Sequence, residues 1–328
     1  MSHALQELSL FHHAQSGATS SINTPFLRSP LFYVGDKYKL MPQLTRLFPR
    51  KIHTLIEPFC GGGSSFLNIK AKRYRLNDID SKLIALHSFL RAQSSDMQGF
   101  FSSLFALIES YGLSCSFRGI LPPKALRERH KKTYFAEFNK QAYRALREDY
   151  NTNQSDMLRL YVLLLYGFNR FLRFNSRGAF NLPVGNVDCN ANAINALKGY
   201  FGFMQERNDV AFSCLDFVSF IESMSFERED FIYLDPPYLI SGSEYNKLWN
   251  EEQESRLYAL LKRLDSKGVR WGLSNLLAHK GRVNTQLERF ASVYKSYEIK
   301  SNYISFNDNS IKDSKELYVT NCVSNIEG

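Results

Sequence analysis

No apolar run in these 328 residues approaches the ~20 that a membrane-spanning helix needs. Residues 1–28 are polar, with Ser, His and Gln, and lack the basic-then-apolar order of a secretory signal. They read as a flexible or loosely docked arm, and the chain as cytoplasmic. The five cysteines, Cys60, Cys115, Cys189, Cys214 and Cys322, show no C-x-x-C spacing, which argues against a structural zinc site and for a reducing compartment. The seven histidines form no H-E-x-x-H or similar cluster, so no metal is expected; His12 and His13 read as a solvated pair. There is no internal repeat and no low-complexity tract. What is left is a soluble globular composition, 44% hydrophobic and 22% charged, long enough for one large domain or two ordinary ones.

Acid is the scarcer charge. Against 41 Lys and Arg stand 32 Asp and Glu, giving +9 and a pI near 9.2, a balance that suits a polyanionic partner. Most of the excess lies in the middle third, where Arg91 to Tyr200 hold 15 Lys and Arg against 8 Asp and Glu. A solvated basic helix face would have the same composition.

The stretch Phe231-Ile-Tyr-Leu-Asp235-Pro236-Pro237-Tyr238 organises the rest. Its first four residues suit a buried strand. Pro236 has no N–H and ends the ladder, which leaves Asp235 extended at the strand's carboxyl edge. In open α/β sheets ligands bind at that edge. Upstream, Thr54 to Asn68 reads as strand, glycine turn and helix: Glu57-Pro58-Phe59-Cys-Gly61-Gly-Gly63, with Ser64 or Ser65 placed to cap the helix. The third glycine of the dinucleotide fingerprint is missing, so the turn suits an adenosine-type cofactor better than NAD. The next strand, from Tyr74, ends in Asp78 and Asp80, either of which could hold a ribose; Asp78 is the first acid past the apolar positions. A further strand from Val210 ends in Asp216 and Phe217. Strands are also expected over Val269–Asn275, Asn302–Phe306 and Glu316–Cys322, and helices over Ser81–Ala92 and Glu251–Lys267.

Before the glycine turn, Leu31 to Leu47 reads as a short apolar piece, a Gly35-Asp36-Lys37 turn and a helix with Leu40, Leu44 and Leu47 on one side. From about Ser94 to Phe203 the pattern is helical, aromatic and basic. There a buried helix from Tyr161 gives way to a loop that interleaves Phe168, Asn169, Arg170, Phe171, Arg173, Phe174, Asn175, Arg177 and Phe180. Arginine among aromatics and asparagine suits phosphates, base edges and stacking. A core helix followed by an ordinary basic loop is the plainer alternative.

In family order, these motifs resemble the Dam-like family of DNA N6-adenine methyltransferases, alpha-group and restriction-modification type. Lys37 with its Gly-Asp-Lys-Tyr setting looks like the family's first motif, and Glu57 to Gly63 like its F-x-G-x-G motif. Tyr166-Gly-Phe-Asn169, Arg173-Phe-Asn175 and Gly178-Ala-Phe-Asn-Leu-Pro183 resemble its recognition signatures, and Asp235-Pro-Pro-Tyr238 its catalytic motif. The matches run from about Phe32 to Asn275.

The resemblance implies a Rossmann-like, seven-stranded mixed sheet of the class I AdoMet-dependent methyltransferases. The catalytic domain would span 29–93 and 204–328, with a helical DNA-recognition domain inserted at 94–203. S-Adenosylmethionine would be the methyl donor. Glu57, Pro58, Phe59, Gly61 and Gly63 would cradle it, Asp78 would hold its ribose and Asp216 its adenine amine, with Phe217 alongside. Tyr33 and Lys37 would line its methionine end. Asp235 and the Pro236 carbonyl would accept the two N–H hydrogens of a flipped-out adenine, favouring a pyramidal nitrogen for direct displacement, with Tyr238 as stacking face. Cytosine N4 enzymes usually carry Ser in place of Asp235. Asp36 stands where the family often has Gly, and Arg170-Phe171 replaces smaller residues in the recognition loop.

The expected partner is double-stranded DNA, with a cognate restriction endonuclease acting on the same site without a stable complex. The protein is expected to be a bacterial monomer or weak dimer, near the nucleoid through its DNA. An RNA adenine methyltransferase and a non-catalytic DNA-binding protein on the same fold are the alternatives.

Overall fold

A computed structural model describes residues 26–33, 35–241, 249–300 and 314–322. Among the described residues eight strands form one sheet: β1 (Thr54–Glu57), β2 (Arg73–Asn77), β3 (Val210–Ser213), β4 (Phe231–Leu234), β5 (Arg270–His279), β6 (Arg282–Val283), β7 (Lys295–Ile299) and β8 (Lys315–Thr320). Their order is β3-β2-β1-β4-β5-β8-β7, with the two-residue β6 paired to β5. Pairing is parallel from β3 through β5, then antiparallel at β5–β8 and β8–β7. This is the mixed α/β sheet expected. Strand order reverses between β1 and β4, so their carboxyl ends flank the switch-point crevice where such sheets bind ligands.

β1 and β4 are buried at every position, as expected of central parallel strands covered on both faces. Their side chains alternate between two cores. Leu55, Phe231 and Tyr233 join a core that continues into the helical middle of the chain. Ile56, Ile232 and Leu234 join a second core on the other face. The helices on the first side are α1 (Met41–Leu47), α2 (Ser81–Gln93), α3 (Met97–Ser110), α4 (Lys124–Arg129), α5 (Tyr134–Thr152), α6 (Met157–Tyr166) and α7 (Ala191–Gln205); α8 (Phe217–Glu222), α9 (Glu251–Ser266) and α10 (Thr285–Ala291) follow.

The last residues of the arm are docked: the Leu27 N–H and carbonyl pair with the Asn68 side chain. Other expectations shift. The helix after the glycine turn is a single 3-10 turn, Phe66–Asn68, without a side-chain cap. Ser65 is diverted, since its hydroxyl donates to Glu57 Oε2 at 2.8 Å. An edge strand forms at Lys295–Ile299, where charged and polar side chains alternate with Tyr297 and Ile299. The expected strand 302–306 and most of the arm, 1–25, lie outside the described residues.

Candidate active site

Asp235 follows β4 at the carboxyl edge, with one fifth of its side chain exposed. The buried ammonium of Lys37 lies 2.8 Å from Asp235 Oδ1, and 4.8 Å from the centre of the Tyr238 ring. The Tyr238 hydroxyl donates towards Asp235 Oδ1 at 3.2 Å. Burial pushes the Asp235 carboxyl above its ordinary value, and Lys37 and Tyr238 offset only part of that. The turn thus joins the motif at 37 to the motif at 235. Asp36 serves the turn itself, accepting the Tyr38 N–H at 3.0 Å.

The glycine turn wraps over Tyr33. A Cβ on Gly62 would lie 2.5 Å from Tyr33 Cβ, and one on Gly63, at φ +91°, would run into the Phe66 ring. Below it, Glu57 is fully buried; Ser65 binds Oε2 while Oε1 has no partner. Burial drives the Glu57 carboxyl well above the ordinary range. Pro58 offers its carbonyl to Asn77 Nδ2 at 3.0 Å. From behind, the neutral His87 ring holds the turn: Nε2 lies 2.8 Å from the Gly61 carbonyl and Nδ1 3.0 Å from the Tyr200 hydroxyl. Burial lowers the His87 pKa to about 4, so at neutral pH it carries one proton.

The two acids after β2 have different work. Asp80 caps α2, accepting the Lys82 and Leu83 N–H groups. Asp78 lies against the glycine turn, accepting the Gly61 N–H at 3.0 Å, and burial raises its pKa to about 6. Asp216 caps α8 through Oδ1 and pairs with Arg256, Nη2 to Oδ1 at 2.9 Å and Nη1 to Oδ2 at 3.3 Å. Phe59, Phe217 and Trp249 form an aromatic cluster with ring centres 5.2 to 5.7 Å apart.

The arginine loop is a pinched hairpin, with bridges Gly167–Val184 and Phe174–Phe180. Asn175 shapes its tip by accepting the Arg177 and Ala179 N–H groups at 3.0 Å. Arg173 is exposed and held by Asn181, Nε to Oδ1 at 3.0 Å and Nη2 to the carbonyl at 2.7 Å. Arg170 instead lies 3.7 Å over the Phe32 ring, with its pKa lowered to about 10 by burial. Phe168, Asn169 and Arg177 are exposed; Phe171 is partly buried against the core. Beside the loop, Asn186 accepts the Phe135 N–H and donates to the Lys132 carbonyl. It thereby ties the loop's far end to an exposed basic lobe holding Lys124, Arg127, Arg129, Lys131 and Lys132.

A family model for D12 class N6 adenine-specific DNA methyltransferases matches residues 33–307. The chain belongs to that family. The type II methyltransferase M.FokI of Planomicrobium okeanokoites is 32% identical over 307 residues, covering 90% of this chain and 43% of that protein. The modification methylase StsI of Streptococcus sanguinis is 32% identical over 310 residues, with the same two shares. The DNA adenine methylase of Escherichia coli K12 is 31% identical over 222 residues, covering 64% of this chain and 65% of that one. The chain therefore spans less than half the length of the two modification enzymes.

Three residues of this D12 site carry no motif signal. Glu316 on β8 is fully buried; its Oε1 accepts the Tyr238 hydroxyl at 3.0 Å and lies 3.9 Å from Lys37 Nζ. His87 sits on a helix with no marker of its role, and Trp249 joins the Phe59 cluster from outside every motif. Among the described residues no cluster of His, Cys, Asp and Glu could hold a metal, and no helix is long and apolar enough to cross a membrane.

Proposed function

We propose that the chain transfers a methyl group from S-adenosylmethionine to the N6 amine of a flipped-out adenine in double-stranded DNA. It would do so as the modification enzyme of a restriction-modification system. The observation that carries the proposal is Asp235, a carboxylate at the open edge of β4 beside the switch point, flanked by the Pro236 carbonyl and the Tyr238 ring. Family membership supports the reaction class. The names of the two modification relatives support the restriction-modification setting.

The residues at the crevice fit such a donor. The unpartnered Glu57 Oε1 can accept a donor group, and a Cβ on Gly61, half-buried at φ +48°, would meet only the Tyr33 ring, at 3.7 Å. Gly61, Gly63, Pro58 and Phe59 would hold the donor, with Tyr33 and Lys37 towards its amino-acid end. Asp78 would take the ribose hydroxyls. Asp216 Oδ2, which carries a single bond to Arg256, keeps acceptor capacity for an adenine amine, and Phe217 would pack on the ring. When bound, S-adenosylmethionine supplies an electrophilic methyl on a sulfonium sulfur.

On the target side, Asp235 and the Pro236 carbonyl accept the two amine hydrogens. That pulls the nitrogen lone pair out of conjugation and aims it. The raised pKa of Asp235 makes it a stronger acceptor and a better recipient for the proton that the amine releases. Tyr238 offers its ring face to the base. Positioning and electrostatics supply most of the acceleration. Arg173 would read a base edge, supported by Phe168, Asn169 and Arg170. Arg177, Asn175 and Phe171 complete the loop, and the basic lobe would follow the phosphates.

The test is expression in a host without DNA methylation, followed by nucleoside analysis and modification-sensitive sequencing of its DNA. N6-methyladenine at one recurring site is expected. Methylcytosine, or methylation of RNA alone, would overturn the proposal.

A further inference from the structure

Glu316 is the feature of the site that the chemistry above leaves unused. It is fully buried, so its carboxylate has given up water. Such burial is costly unless partners replace the lost solvent. Among the described residues it meets Lys37 Nζ at 3.9 Å and accepts the Tyr238 hydroxyl at 3.0 Å. Both also engage Asp235 Oδ1, at 2.8 and 3.2 Å. Two acids therefore share one ammonium and one hydroxyl.

β8 is what makes this sharing possible. It runs antiparallel beside β5, with Glu316 opposite Leu276, and brings the second carboxylate in beside the first from the other side of the sheet's centre. Without it, Asp235 would be the one carboxylate among the described residues within reach of Lys37 and the Tyr238 hydroxyl. A fully paired Asp235 is a weaker acceptor for an incoming amine, because two donors already draw on its charge.

We infer that Glu316 is a positioning residue that shares the Tyr238 hydroxyl and the Lys37 ammonium with Asp235, so that neither is given to Asp235 alone, and that fixes the tilt of the Tyr238 ring. The inference rests on the methyl-transfer chemistry proposed above.

The experiment compares Glu316→Gln, Lys37→Met and the double variant with the wild type, in single-turnover methylation and in thermal unfolding. Glutamine keeps the shape and can still accept from Tyr238, but loses its hold on Lys37. Glu316→Gln should lower the methylation rate by about 10- to 100-fold, the scale of one charge-assisted hydrogen bond, while donor Kd stays within about threefold. In the Lys37→Met background the same change should cost little more, because the two residues act through one network.

The unfolding cycle needs no activity and should show coupling between Glu316 and Lys37. Independent melting shifts would overturn the shared network itself. A Glu316→Gln rate within about twofold of a wild type that methylates adenine would overturn the inference and leave the reaction standing. A wild type that does not methylate adenine at all brings down the reaction, and the inference with it. If Glu316→Gln fails to fold, Glu316→Asp withdraws the carboxylate from the same network while keeping its charge; it should show the same fall in rate at unchanged donor affinity, and a wild-type rate would again overturn the inference.

Discussion

The backbone N–H of Gly61 donates to Asp78 Oδ2 at 3.0 Å, so the acid at the tip of β2 and the glycine turn after β1 form one piece. Asp78→Ala should weaken donor binding by about 1–3 kcal/mol, the cost of losing a charge-assisted hydrogen-bond pair. Titration calorimetry with S-adenosylmethionine measures it. Asp80→Ala should instead act on stability, because it removes the cap of α2, at about 1 kcal/mol. Donor affinity lost only in Asp80→Ala would reverse the two roles.

The pKa of Asp78, raised to about 6, sets a pH dependence. Below that value the carboxyl is neutral, so donor affinity should fall as pH drops through about 6 and level off above it. Asp78→Asn should remove this step. The stability contribution has the opposite sense. The folded state holds this proton more tightly than the unfolded chain, so stability is lost as pH rises from the ordinary 3.8 towards 6.

Asp235→Ala should abolish methyl transfer while leaving donor affinity within a few fold, because in the proposed mechanism the side chain serves the target amine, and its partners Lys37 and Tyr238 remain. Filter-bound methyl counts and calorimetry separate the two effects. Turnover near the wild-type level would remove Asp235 from the mechanism.

Much of this frame could be read from the chain. The buried run Phe231 to Leu234 stopped by two prolines announces a strand with an acid at its end, and the glycine turn announces another. What could not be read is what meets them. Lys37 and Asp235 come together only through the packing of the amino-terminal segment against the sheet. Glu316 lies in Lys-Glu-Leu-Tyr-Val-Thr, where alternation would assign a glutamate to the solvent face; burial beside β5 reverses that. The edge strand at Lys295–Ile299 is hidden by its charge, which is how exposed edges are commonly protected.

Arg173 is held by Asn181 through Nε and one Nη2 hydrogen, which leaves the rest of its fork for a base. Arg173→Ala should cost discrimination at one base pair by about 1–3 kcal/mol, with nonspecific binding little changed. Methylation of a panel carrying every single-base change, at fixed salt, tests it. A uniform drop would make Arg173 a phosphate anchor.

Lys131 and Lys132, on the lobe that Asn186 ties to the loop, should behave in the opposite way. Replacing both with Gln should weaken binding to all sequences alike. It should also lower the slope of log affinity against log salt by about 0.9 for each phosphate that is no longer neutralised. An unchanged slope would mean that the lobe faces away from the duplex.

The His87 bridge bears on attempts to graft one enzyme's sequence preference onto another. Exchanging residues 94–203 as a block would replace α7, and with it the Tyr200 hydroxyl on which the His87 ring rests. The recipient's glycine turn would lose its backing before the foreign loop met any DNA. Cuts placed after Gly119 and before Asn190 would carry the arginine hairpin, the basic lobe and Asn186 together, and leave Tyr200 with its native partner.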